Sequence, residues 1–140
     1  MMRKLLFVAA ILFFVSCSSD DDSGEPGISK DTIKGSYQLQ TFEINGDSYS
    51  DYDCLTTNSL AINENSINMY LSFSTSEPCE AQTFKATDYV IEENKIILNE
   101  VDYVTSEFFT NYDITIVNEN EIDMVLDVSN GSELHYVFVR

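Results

Sequence analysis

The chain has 140 residues, with 24 acidic side chains against seven basic ones and a formal net charge of −17 at pH 7. A polyanion of this kind repels phosphate backbones, which excludes nucleic acid as a partner. One histidine, three cysteines and no tryptophan leave few side chains for metal or nucleophilic chemistry, while a 44% hydrophobic content is enough for one core.

In chain order, Arg3 and Lys4 form a basic start, followed by an apolar run from Leu5 to Val15. The run is too short to cross a bilayer as a helix and has the length of a secretory signal core. Phe14-Val15-Ser16 precedes Cys17, which resembles the lipobox of bacterial lipoproteins. That resemblance implies a signal peptide over residues 1–16 and acylation of Cys17. Each buried methylene is worth about 0.8 kcal/mol, so several acyl chains anchor the protein without a spanning helix. The expected location is the outer membrane, facing either the periplasm or the cell surface.

Residues 17–32 carry Asp20, Asp21, Asp22, Gly24, Pro26 and Gly27 and too little apolar surface to order themselves. They read as an acidic tether. The acidic run after Cys17 also resembles surface-export signals of some Gram-negative lipoproteins, with a generic spacer as the alternative. Residues 33–140 are the right length for one domain.

Within that domain, apolar residues alternate with polar ones. Met69, Leu71 and Phe73 share a parity, as do Ile114 and Ile116, then Ile122, Met124 and Leu126, then Leu134, Tyr136 and Phe138. Alternation of this kind marks half-buried antiparallel strands. Strands are predicted at 35–44, 58–63, 66–75, 82–92, 95–102, 111–117, 121–129 and 132–140. Asn45-Gly46 and Asn130-Gly131 read as two-residue hairpin turns. Tyr37 and Leu39 differ in parity from Phe42 and Ile44, which predicts a β-bulge near Gln40 or Thr41. The fold class is therefore all-β with little helix, as an eight-stranded antiparallel up-and-down barrel. A two-sheet β-sandwich is the alternative, and periodicity does not separate the two.

Cys54 and Cys79 have one possible intramolecular pairing, and an exported protein meets an oxidising compartment, so a disulfide is expected. Ile33-Lys34-Gly35-Ser36-Tyr37-Gln38-Leu39, the run Tyr89 to Ile96 and the closing Tyr136-Val137-Phe138-Val139-Arg140 are similar to the lipocalin-like domain family of bacterial lipoproteins. Tyr37 stands where that family usually has tryptophan. The resemblance implies a lipocalin-like barrel and an apolar lumen able to hold a small molecule.

An eight-stranded barrel is just wide enough to be filled by side chains or to hold one small ligand. The candidate ligand-binding residues are Met69, Leu71, Phe73, Phe108, Phe109, Met124 and Tyr136. Phe108 and Phe109 lie in an aromatic-bearing connection that either caps a ligand or plugs the barrel mouth. Asp47, Asp51 and Asp53 cluster in one loop, but without the glycine and terminal glutamate of a calcium loop they read as solvated acids. His135 is the one histidine, and no serine triad or zinc site can be assembled around it.

No catalytic residue, metal or cofactor is therefore expected. The leading expectation is a non-enzymatic, lipid-anchored envelope protein binding a small hydrophobic molecule. The alternative is a packed barrel whose loops contact another envelope protein or a glycan, with Tyr49, Tyr52, Tyr103 and Tyr112 as contact candidates.

Overall fold

The computed structural model describes residues 28–49, 53–72, 78–79, 81–102 and 109–140. Among the described residues the elements are a helical turn α1 (Lys30–Ile33), then β1 (Gly35–Ile44), β2 (Asp47–Ser48), a 3-10 turn (Leu55–Thr57), β3 (Ser59–Ile62), β4 (Ile67–Ser72), β5 (Ala81–Glu92), β6 (Lys95–Asp102), β7 (Phe109–Asn118), β8 (Glu121–Val128) and β9 (Glu133–Val139). Each barrel strand pairs antiparallel with its neighbour, and β1 also pairs with β9 from Gln38↔Val139 to Ile44↔Leu134. That pairing closes a barrel of eight strands and sets the two-sheet sandwich aside. Closure pairs β9 with β1, so neither of these long strands is a free edge there. The short β2 continues the β1 hairpin and pairs with Glu43 and Ile44, on the edge where β3 pairs lower down with Gly35 to Gln38.

Strand parity decides what enters the barrel. Met69, Leu71, Ile114, Ile116, Met124, Leu126, Tyr136 and Phe138 are all buried, as their alternation predicts. The register of β1 against β9 shifts between Leu39 and Thr41, so Leu39 and Phe42 both point inward. A second bulge, with no counterpart in the sequence reading, lies in β5 between Ala86 and Asp88 and brings Tyr89 into the core. Its backbone is braced by Asp88 Oδ1, which accepts the Tyr89 amide at 2.9 Å.

The turns divide into two kinds. Asn45 and Gly46 both take positive φ, 53° and 85°, as a two-residue hairpin requires. At Asn130-Gly131 only Gly131 is left-handed, at 86°. Here the Gly131 amide donates to the Val128 carbonyl and the Val128 amide donates to the Ser132 carbonyl, both at 2.9 Å. This is a longer turn closed by a glycine bulge, which corrects the two-residue reading.

The turn α1 packs on the barrel through Ile33, which is part of the core. Residues 28–32, assigned to the tether on composition, belong to the domain: Thr32 Oγ1 accepts the Ser29 amide at 3.0 Å, and Ile33 is fully buried. The Tyr37 hydroxyl lies 2.7 Å from the Ile33 carbonyl and 3.1 Å from that of Glu119. The Tyr89 hydroxyl donates to Asn63 at 2.8 Å, and Lys30 stands 4.1 Å above the Tyr89 ring. Arg140 covers the Tyr37 ring at 5.0 Å and donates to the Lys34 carbonyl. Gly35 sits beneath that arginine at φ 151°, where a Cβ would stand 3.0 Å from Arg140 Nε. A side chain there meets both backbone strain and the lid over the barrel floor.

Candidate functional site

The lumen is where the sequence places the ligand, and among the described residues large buried side chains crowd it. Tyr37, Tyr89, Tyr136, Phe42, Phe84 and Phe138 are among the largest fully buried residues. Phe42 and Tyr136 meet at 4.8 Å between ring centroids, and Tyr136 stacks on Phe138 at 6.0 Å. Among the described residues, these side chains leave a cavity of about 20 Å³ between Met69, Leu71, Phe84, Leu98, Val101, Tyr112, Ile114 and Leu126. That is room for roughly one water, against the ~300–1,000 Å³ of a small-molecule pocket.

The candidate ligand residues divide accordingly. Met69 and Leu71 line this cavity, while Met124 and Tyr136 are wholly buried in the packed part of the barrel. Phe109 opens β7. Phe73, Phe108 and Cys17 lie outside the described residues, as do Asp51, Tyr52 and Tyr103. Asp47 and Asp53 are exposed. Phe84, Leu98 and Val101 also line the cavity without having been singled out from sequence. For Phe84 the obstacle is the β5 bulge, which breaks the parity from which inward residues are read.

Cys54 and Cys79 form the expected disulfide, with Cα atoms 5.2 Å apart across a separation of 25 residues. Beside it, Asn58 is fully buried. Its Nδ2 donates to the Cys54 carbonyl at 2.7 Å, and its Oδ1 accepts the Ser72 amide at 2.7 Å. Its own carbonyl accepts the Leu39 amide at 3.3 Å. One side chain thus ties the disulfide turn to β4, and its backbone holds β1.

On the outer wall, His135 of β9 lies between Glu43 of β1, at 3.2 Å, and Asp123 of β8, at 2.7 Å. Partial burial disfavours its charged form. The hydrogen bonds and charges of Glu43 and Asp123 outweigh that and hold the imidazole above the ordinary histidine value. Among the described residues no group of histidine, cysteine and carboxylate side chains is arranged to hold a metal.

The barrel wall is uneven at one place. β6 and β7 pair at Lys95↔Thr115, the Ile116 amide donates to the Asn94 carbonyl, and Lys95 bridges to Asp113 at 2.5 Å. That lysine holds the Asp113 carboxyl below its usual range. Continuing the register would set Leu98 opposite Tyr112, yet among the described residues no further β6–β7 pair follows. Instead the Tyr112 side chain crosses the seam, its hydroxyl 3.2 Å from both the Leu98 amide nitrogen and the Leu98 carbonyl oxygen. The phenol accepts from one and donates to the other, making the two bonds a strand neighbour would make. Tyr112 lines the lumen cavity and also a second hollow of about 130 Å³ shared with Lys95, Ile96, Ile97, Asp113 and Ile114. Of the tyrosines read as contact candidates, Tyr112 is therefore committed to the wall, and Tyr49 packs on Phe42 at 6.1 Å. Tyr70, Val90 and Val117 are the exposed large apolar side chains among the described residues. No family model matches the chain, nor does any curated protein or solved structure.

Proposed function

We propose that this protein is a non-enzymatic, lipid-anchored envelope lipoprotein whose lipocalin-like barrel serves as an interaction module, presenting its outer wall and loops to another envelope protein. The observation that carries this reading is the crowding of the described lumen: the cavity bounded by Met69, Leu71 and Tyr112 measures about 20 Å³ and offers no volume for an alkyl chain or ring. Recognition then falls to the outside of the cylinder. Export is supported by the Cys54–Cys79 bridge, since disulfides persist in oxidising compartments. Anchoring rests on the basic, apolar and small-residue zones in register before Cys17. Once residues 1–16 are removed with Arg3 and Lys4, five basic against 24 acidic side chains give a net charge of −19, which keeps the tethered module off anionic headgroups.

The test is metabolic labelling with a tagged fatty acid combined with cross-linking in the intact envelope. The expected result is label on the wild type, none on Cys17→Ala, and one cross-linked protein at fixed stoichiometry. Label that persists on Cys17→Ala, or cross-links spread over abundant proteins without stoichiometry, would overturn the proposal.

A further inference from the structure

We propose that the seam between β6 and β7 receives an extended peptide segment of a partner protein, with alternating apolar and basic residues, which pairs with β6 at Leu98 in place of the Tyr112 hydroxyl. The inference rests on the interaction-module reading and says where on the barrel the partner binds. Leu98 directs its amide and carbonyl towards β7, where a side-chain hydroxyl stands in for a backbone. At Leu98 the β6 backbone is met by a phenol and not by the β7 main chain, so its ladder positions are held by a side chain. The hydroxyl is also a replaceable partner, because a peptide group offers the same donor and acceptor with strand geometry. Strand addition to a sheet edge draws its affinity from such main-chain bonds and its specificity from alternate side chains.

The two faces of the seam define those side chains. Inward, Leu98, Val101 and Ile114 offer an apolar lining continuous with the small lumen cavity. Outward, carboxylates flank the seam on both sides. On β5, Asp88 accepts from Asn99 of β6 at 3.1 Å; on β8, Asp127 accepts from Asn111 of β7 at 3.4 Å. Asp113 lies at the seam itself, its charge met by Lys95. Basic residues at the outward positions of an inserted strand fit this surround, and acidic ones are repelled.

The experiment titrates the full chain in mild detergent with a synthetic heptapeptide of alternating valine and lysine. Controls replace lysine by glutamate, or the central residue by proline, which cannot donate to a strand ladder. The expected result is saturable one-to-one binding of the lysine peptide, weakened by salt, with slowed hydrogen exchange at the Leu98 amide and no binding of either control. Tyr112→Phe keeps the ring and removes the competing hydroxyl, so it binds the lysine peptide about three- to tenfold more tightly, the equivalent of one net hydrogen bond. Circular dichroism verifies its fold, and the wild-type titration stands alone if that variant does not fold. Equal binding of lysine and glutamate peptides, an unchanged Leu98 amide, or self-association of the chain through the seam would overturn the proposal. A stoichiometric envelope partner whose footprint lies elsewhere on the barrel would sink the seam assignment and leave the module reading intact. Seam binding of the peptide without any envelope partner would do the reverse.

Discussion

The carboxamide oxygen of Asn58 accepts the backbone amide of Ser72 at 2.7 Å across a sequence separation of 14 residues, inside a fully buried site. The same side chain donates to the Cys54 carbonyl, so neither end of the amide is idle. A buried polar group satisfied in this way fixes one arrangement of the surrounding backbone. Removing it leaves the Ser72 amide and the Cys54 carbonyl without those bonds in a dry environment. Asn58→Leu should therefore cost about 2–4 kcal/mol of unfolding free energy, read as a lowered urea midpoint with an unchanged slope. A loss within experimental error would show that these bonds are not holding β4 to the disulfide turn.

The Cys54–Cys79 bridge closes a loop of 25 residues. By the chain-entropy argument its removal costs about 3.5 kcal/mol. The double variant Cys54→Ala/Cys79→Ala should show this as a lower urea midpoint, and reductant should shift the wild type towards the variant while leaving the variant unmoved. Equal midpoints for oxidised wild type and double variant would contradict the bridge's role.

His135 predicts a pH dependence of definite sign. Its folded-state value is raised, so the protonated imidazole between Glu43 and Asp123 stabilises the barrel. That contribution is complete below the unfolded histidine value of about 6.5 and disappears as pH rises through the higher folded value. Urea midpoints measured from about pH 5.5 to 8.5 should fall across this window in the wild type and be flatter in His135→Gln. A wild-type midpoint that rises with pH, or parallel curves for the two proteins, would refute the assignment.

Glu93 is a non-glycine residue at φ 57°, in the tight turn between β5 and β6. A side chain in the left-handed region costs about 1–2 kcal/mol, partly offset because glycine gains more freedom when unfolded. Glu93→Gly should raise stability by about 0.5–1 kcal/mol. Thermal denaturation checks this, and a lower melting temperature would count against strain at this turn.

The barrel was legible because its information is periodic. Met69, Leu71, Ile114, Met124 and Tyr136 enter the core on parity alone, and the conflict between Leu39 and Phe42 correctly predicted a bulge. The β5 bulge at Ala86–Asp88 was not legible, since Thr87 and Asp88 are ordinary strand-face residues whose displacement is decided by the partner strand. The helical turn after Ser29 was hidden for a related reason: its stability comes from Ile33 packing on the barrel floor, not from local composition. Tyr112 read as a possible contact residue, but its role in the wall depends on where β6 stops pairing with β7, a long-range event with no local signature. Nor could composition tell a filled lumen from a hollow one, because the same bulky side chains suit both.

The account turns on that lumen, and native mass spectrometry of the full chain, extracted from its own envelope in mild detergent, addresses it directly. The filled barrel predicts the mass of the acylated polypeptide, with or without a protein partner and with no retained apolar molecule. A stoichiometric small-molecule adduct, present in the wild type and lost when Leu71→Trp fills the cavity further, would contradict the account and restore the lumen as the functional site.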